Sequence, residues 1–217
     1  MKSNKDIPFF ESTDNLHCFQ ACLKMVLAYW TPNKEYTFKK LDEISSHTEG
    51  KWTWQGSSLL YLAKNKFDII NIENLDYSLF ARDGKEYLKT IWSDDIYKTQ
   101  DIYSNLNKEQ EIAKQLIKNK NIKLQNKEIQ FSDILYLFDD GYIILVSVNP
   151  CTLRGEEGYS SHMVVITDIQ ENTVTFHDPG PPGEPHKSIS RDIFKSAITK
   201  PLKEDGNVIG LKYISGV

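Results

Sequence analysis

The sequence predicts a single α+β domain in which helices come first and an antiparallel sheet follows. Apolar residues recur at helical spacing in the first third of the chain, whereas the last third alternates or runs continuously apolar, as strands do. A length of 217 residues fits one domain with a sizeable core. Its 40% hydrophobic and 26% charged residues are typical of globular proteins and exclude bulk disorder.

The first predicted helix covers residues 16–30, because apolar side chains there repeat every three or four positions. Asp14 or Asn15 is expected to cap the start of this helix, and Pro32 is expected to stop it. Its periodicity makes it the best-defined helix of the sequence.

Two more helices, a short strand and a polar segment follow. Thr37 is expected to cap the second helix, and Gly56 is expected to open the third. Residues 67–72 alternate between apolar and polar side chains like a short strand. Residues 76–126 are polar and are predicted to be helical.

The last third predicts the sheet and two further helices. In chain order the expected elements are a helix at 133–139 capped by Ser132, a central strand at 142–148, a hairpin of strands 162–169 and 173–177, a helix at 191–198 capped by Ser190, and a final strand at 208–214. The hairpin is expected to turn at Glu171-Asn172.

The charge balance argues against a nucleic-acid partner, because 26 basic residues stand against 30 acidic ones and the net charge is −4. Residues 108–127 are locally basic, with six Lys and two Glu. We interpret this segment as a solvated helix face. The alternative is a structural or interaction protein that binds a partner through this basic face.

Three cysteines, an odd number, indicate free thiols in a reducing compartment, so a cytoplasmic location is expected. No apolar stretch follows the charged first six residues, and no signal peptide is expected. The longest apolar stretch, residues 142–148, is far shorter than the ~20 residues that cross a bilayer. Membrane insertion is therefore not expected, and the oligomeric state has no signature in the sequence.

Cys18 has the most activating position of the three cysteines, because it lies in the first turn of the best-defined helix. Unpaired backbone N–H groups and the positive end of the helix dipole favour a thiolate there. An ordinary thiol is only a few per cent ionised at pH 7, so a nucleophilic Cys18 also needs a base.

His162 and Asp178 are the candidates for that base and its partner. His162 opens the first strand of the predicted hairpin, and Asp178 follows the second strand. Closing the hairpin brings both residues to the same end of the ladder, where a carboxylate can orient the imidazole and stabilise its protonated form. The order Cys, His, Asp, with His162 located 144 residues after Cys18, matches the spacing of papain-type thiol enzymes.

Several segments resemble the C-thirty-nine-like cysteine peptidases, which are the bacteriocin-leader (double-glycine) peptidases and their stand-alone relatives. His-Cys-Phe-Gln-Ala-Cys-Leu-Lys-Met at residues 17–25 is similar to their nucleophile helix. Ser-His-Met-Val-Val-Ile-Thr at residues 161–167 and Phe-His-Asp-Pro-Gly at residues 176–180 resemble their histidine and aspartate blocks. Residues 142–149 and 190–198 resemble the strand before the histidine loop and the helix after the aspartate.

This resemblance implies a papain-like fold in which Cys18 is the nucleophile, His162 the general base and Asp178 its orienting residue. It implies hydrolysis of a peptide or amide bond through a thioester, with a peptide or protein as substrate and without a metal or organic cofactor. The match spans about residues 7–214. Residues 76–126 have no clear counterpart in the family, so a helical insertion is expected there within a single domain of residues 1–217.

The chain departs from the family pattern beside the nucleophile. The family has a glutamine six residues before the cysteine, whose side chain helps to bind the oxyanion, and this chain has Ser12 there. Ser12 and Asn15 are the remaining candidates for that hydrogen bond. Phe19 replaces the glycine that follows the family's cysteine. These departures leave open a catalytically degenerate member that binds peptides.

Other residues near the motif have weaker functional interpretations. His17 points about 100° away from Cys18 on a helix and is not preferred as the base. A metal site from His17, Cys18 and Cys22 lacks a second cysteine pair, and no metal is expected. Trp52 and Trp54 either line a substrate groove or pack in the core.

An acyltransferase that uses the same three residues is a further alternative, and the resemblance extends to the butirosin-type transferases, in which an amine replaces water. The His17-Cys18 pair fits that pattern too. The sequence therefore leaves three classes open besides the hydrolase: a transferase, a peptide-binding module and an interaction protein.

Overall fold

In the computed structural model, which describes residues 6–199 and 203–214, seven strands form one sheet. The strands are β1 (Phe67–Glu73), β2 (Ile122–Asn126), β3 (Ile143–Val148), β4 (His162–Ile169), β5 (Thr173–Asp178), β6 (Glu184–Ser190) and β7 (Asn207–Tyr213). Their order across the sheet is β2-β1-β7-β3-β4-β5-β6. The predicted central strand, β3, is indeed the fourth of seven.

Ten α-helices lie among these residues. They are α1 (Cys18–Trp30), α2 (Phe38–Ser45), α3 (Gly56–Lys64), α4 (Tyr77–Asp83), α5 (Lys85–Ile91), α6 (Asp94–Tyr103), α7 (Leu106–Leu116), α8 (Phe131–Asp139), α9 (Pro150–Arg154) and α10 (Arg191–Thr199). None of the helices in the described ranges combines the length and the apolar character that crossing a bilayer requires. The α+β class is confirmed.

The sheet is mixed rather than purely antiparallel, which corrects one part of the prediction. β1 pairs with β2 in parallel, and every other neighbouring pair is antiparallel. A parallel pair needs a long crossover connection, and helices α4 to α7 supply it. β1 and β2, which both precede the last third of the chain, therefore complete the sheet that the sequence assigned to that third.

The start of α1 differs from the prediction. The N-cap position is His17, and neither Asp14 nor Asn15 occupies it. The Asp14 carboxylate instead accepts a hydrogen bond from the Leu16 N–H at 2.7 Å, which closes a tight turn just before the helix. Thr37 caps α2 as predicted, because its side chain accepts from a backbone N–H of the first turn.

Residues 76–126 are helical up to residue 116, but they end in the strand β2, which the sequence analysis did not predict. α7 packs closely on α3 at Gly56, where a Cβ would lie only 2.7 Å from Ile112 Cγ2. The glycine that was predicted to open α3 therefore also permits this close approach. Whether this segment is an insertion remains a prediction.

Two elements of the last third were missed, and one cap was wrong. α9 and β6 match none of the predicted elements. β6 is an edge strand that contains Pro185 and polar residues, and edge positions tolerate both, so its sequence carries little strand signal. The N-cap of α8 is Gln130 rather than Ser132. Ser190 accepts from the Ile193 N–H at 3.3 Å, as expected for the start of α10.

Apolar side chains fill both faces of the sheet. One core packs the sheet against α1, α2 and α3, and the other packs it against α8 and α10. Phe176 of β5 belongs to the second core, is fully buried, and has its ring 5.6 Å from the ring of Phe194. Packing against α10 therefore holds the hairpin of β4 and β5 in place.

Phe176→Ala is expected to lower the free energy of unfolding by about 3–5 kcal/mol, because it leaves a cavity behind the hairpin. Tyr136→Ala is the control: Tyr136 lies on α8 with 69% exposure, and its removal is expected to change stability by about 0.5 kcal/mol or less. Urea denaturation measures both. A loss below about 1 kcal/mol for Phe176→Ala would mean that this core does not anchor the hairpin.

Candidate active site

Cys18 is the first residue of α1 and is half-buried. The helix forms there because its next turns present Cys22, Leu23 and Val26 to the core, where all three are fully buried. At the N-cap position His17 turns its ring to Asp14 instead of capping the first-turn amides. The helix N-terminus therefore directs backbone N–H groups and its positive dipole end towards the sulfur's surroundings.

His162 and Asp178 meet at one end of the hairpin, as the sequence predicted from its register. His162 is the first residue of β4, and Asp178 is the last residue of β5. The ring Nε2 lies 2.7 Å from Asp178 Oδ1, and the Gly180 N–H donates to the same oxygen at 3.0 Å. Both side chains are largely buried, so this pair is weakly screened by solvent.

The His162 ring also interacts with Cys18. Because Nε2 faces Asp178, Nδ1 is the ring nitrogen that remains for the sulfur. The structure thus brings together all three residues that the sequence analysis proposed as a triad. The imidazole therefore interacts with the sulfur and is hydrogen-bonded to the carboxylate.

The charges of Cys18, His162 and Asp178 stabilise one another. Burial raises the pKa of the Cys18 thiol, but the hydrogen bond and the charge of His162 outweigh burial and hold that pKa below its ordinary value. Burial lowers the pKa of His162, but the bonds to Asp178 and Cys18 outweigh it and raise the pKa to about 9. Burial also raises the pKa of Asp178, and the bond to His162 brings it below its usual value. A thiolate beside an imidazolium is therefore favoured.

Cys22 lies one turn after Cys18 and has a different character. It is fully buried, and its thiol donates to the Met163 carbonyl oxygen at 3.3 Å. Burial and the charge of Cys18 raise its pKa well above the ordinary value, so it stays protonated. Its position agrees with the apolar face predicted for α1.

Lys187 is the residue of this site that sequence reasoning missed. Its Nζ lies 3.6 Å from Asp178 Oδ2 and 2.5 Å from Glu184 Oε2. Both Lys187 and Glu184 belong to β6, an edge strand that the sequence analysis did not predict, so the sequence offered no signal that would place them here.

The two predicted oxyanion donors have different surroundings. Ser12 is buried, its N–H donates to the Pro179 carbonyl oxygen at 2.9 Å, and it therefore lies beside the aspartate end of the hairpin. Its hydroxyl donates to the Asp14 carbonyl oxygen at 2.6 Å, so it must turn before it can bind an oxyanion. Asn15 is exposed. Both assignments remain predictions.

The other histidines near the motif are engaged elsewhere. His17 Nδ1 lies 2.7 Å from Asp14 Oδ1, and its Nε2 lies 3.3 Å from Asp42 Oδ1, so the ring faces α2. His177 is buried, with Nε2 2.9 Å from the Ile7 carbonyl oxygen. Among residues 6–199 and 203–214, no three His, Cys, Asp or Glu side chains are grouped so that they could hold a metal ion.

Trp52 and Trp54 are used differently. Trp54 packs against Phe80, with ring centroids 5.8 Å apart, and donates from Nε1 to Ser104 Oγ at 3.0 Å, which is a packing role. Trp52 stacks on Tyr103 and remains 42% exposed. A role of either tryptophan in binding substrate stays a prediction.

Comparison with known proteins supports the fold. One similar solved structure is the peptidase domain of Streptococcus ComA, a bifunctional ABC transporter involved in a quorum-sensing pathway. The TM-score is 0.51 at 16% sequence identity, and the alignment covers 96% of this chain and 99% of that chain. The chain therefore has a papain-like α+β fold, as the sequence predicted. No protein-family model matches the sequence, and a search of curated proteins finds no match.

Proposed function

We propose that this protein is a thiol-dependent hydrolase that cleaves a peptide or amide bond with Cys18, His162 and Asp178. The observation that carries the proposal is the chain of contacts from the Cys18 sulfur through the His162 ring to the Asp178 carboxylate, with 2.7 Å between Nε2 and Oδ1. The papain-like fold, shared with a peptidase domain, supports the same class of chemistry.

In the first half of the proposed reaction, the Cys18 thiolate attacks the carbonyl carbon of the scissile bond. The carbonyl electron pair moves to oxygen, and the resulting oxyanion is stabilised by backbone N–H groups at the start of α1. His162 then donates its Nδ1 proton to the leaving amine, the C–N bond breaks, and a thioester of Cys18 remains.

In the second half, neutral His162 removes a proton from water, which attacks the thioester carbonyl. The second tetrahedral intermediate expels the Cys18 thiolate, and the acid product leaves. Asp178 holds the ring orientation throughout and stabilises the ring whenever it is protonated, in both halves of the reaction.

The pH dependence tests this proposal. Alkylation of Cys18 by iodoacetamide, located by mass spectrometry, is expected to have its midpoint below the ordinary thiol pKa, because His162 stabilises the thiolate. Hydrolysis of a library of peptidyl coumarin amides is expected to rise as the thiolate forms and to fall near pH 9, where His162 loses its proton.

An alkylation midpoint at the unperturbed value of about 8.5 would contradict the proposed ion pair. Adding glycinamide to the same assay separates hydrolysis from acyl transfer, because an amine that captures the thioester gives an amide product in place of the acid. Predominant capture at millimolar glycinamide would assign the protein to the transferases instead.

A further inference from the structure

The two oxygens of the Asp178 carboxylate have different partners. Oδ1 is bonded to the His162 ring and to the Gly180 N–H, whereas Oδ2 faces the Lys187 ammonium at 3.6 Å. Lys187 in turn is paired with Glu184. A cation therefore lies on the side of the carboxylate opposite the imidazole, within the same small group of charges.

A bulge in the edge strand places this cation. Phe176 pairs with Lys187 and Asp178 pairs with Glu184, so one residue of β5 lies opposite two residues of β6. His186, one of the two, has a positive φ of 52°. A bulge bends its strand and re-aims the side chains beside it, and here it brings both Glu184 and Lys187 next to Asp178.

Burial makes the electrostatic interaction between Lys187 and Asp178 stronger than that of an ordinary surface ion pair. The side chains of Lys187 and Asp178 are 20% and 12% exposed, whereas that of Glu184 is 52% exposed. Exposed ion pairs contribute little because water and salt screen them. The Lys187–Asp178 contact is less screened, so it can influence the proton affinity of the next group, His162.

We propose that Lys187 is a positioning residue of this site: its ammonium group partly neutralises Asp178 and so limits how strongly that carboxylate stabilises a protonated His162. Glu184 has the opposite effect, because its carboxylate partly neutralises the Lys187 ammonium and weakens the influence of that ammonium on Asp178. The chemical consequence is a more acidic imidazolium, which gives up its proton to a leaving amine more readily. Only this consequence rests on the proposed function.

Other charged or titratable groups also act on Asp178 and His162. Cys18 and Cys22 face them from α1, and Arg154 of α9 interacts with Asp178 electrostatically. These three residues stay unchanged in every variant of the test, so a difference between variants reports on Lys187 and Glu184.

The test follows the titration of the His162 ring by NMR in protein with isotope-labelled histidine, with the signal assigned by its loss in His162→Ala. Lys187→Met is expected to raise the midpoint by roughly half a pH unit, because the full carboxylate charge then acts on the ring. Glu184→Gln is expected to lower the midpoint by a smaller amount, since Glu184 is half exposed. Lys187→Arg, which keeps the charge, is expected to leave it near the wild-type value.

Unchanged midpoints in both Lys187→Met and Glu184→Gln would overturn the proposal. Glu184→Gln alone decides it if Lys187→Met fails to fold, because a midpoint that does not fall excludes the coupling. Hydrolysis of the peptidyl coumarin library is measured on the same samples. Shifts of opposite sign without any hydrolysis would refute the proposed function and leave the coupling intact, whereas hydrolysis without shifts would refute the role of Lys187 alone.

Discussion

Replacing Cys18 by alanine is expected to lower kcat/KM for peptidyl coumarin amides by roughly 10⁵-fold or more, because no acyl-enzyme can form without the sulfur. The backbone N–H groups at the start of α1 would remain, but they stabilise an oxyanion that water alone seldom generates. The variant is also expected to lose the label that iodoacetamide leaves at pH 6. Steady-state kinetics and mass spectrometry measure the two effects.

Cys151→Ala is the matched control, because Cys151 is also a free, half-buried cysteine at the start of a helix. Its sulfur lies 3.8 Å from Arg154 Nη2 of the same short helix. We expect its activity to stay within about twofold of wild type, as for a surface substitution. Retention of more than a tenth of wild-type activity by Cys18→Ala would show that another group is the nucleophile.

The hairpin that holds two of the three residues was predictable because it is local. Its turn at Glu171-Asn172 is short, so the two strands must be antiparallel neighbours, although a bulge between Ile166 and Asp168 shifts their register by one residue. His162 and Asp178 therefore had to fall at the same end of the ladder. Cys18 was found because the periodicity of α1 and the family resemblance both pointed to it.

The remainder depended on contacts that are distant in sequence. β2 pairs with β1 although four helices separate the two strands in the sequence, and neither strand has a residue pattern that identifies the other as its partner. β6 can contain polar residues and a proline, because an edge strand forms backbone hydrogen bonds with a neighbouring strand on one side only. Lys187 was missed for this reason, because a lysine outside every predicted element has no identifiable partner until the strand that contains it is placed.

His162→Ala is expected to have the second-largest effect, because the ring has two tasks in the proposed reaction. Without the imidazolium, burial of Cys18 is no longer offset, and the pKa of the thiol rises above its ordinary value. Alkylation by iodoacetamide at pH 6 is expected to fall about tenfold or more, since the loss of thiolate outweighs the greater nucleophilicity of a more basic sulfur. His47→Ala, a histidine bonded to Thr53 at 2.8 Å, is the control and should alkylate normally.

The second task separates His162 from a merely structural residue. An amine leaves only when it is protonated, so the variant is expected to hydrolyse peptidyl amides roughly 10³-fold more slowly. A p-nitrophenyl ester of the same peptide has a leaving group that needs no proton, and its hydrolysis should fall much less. An equal loss for ester and amide would mean that His162 only maintains the fold or the thiolate, because a proton donor must discriminate between leaving groups of different basicity.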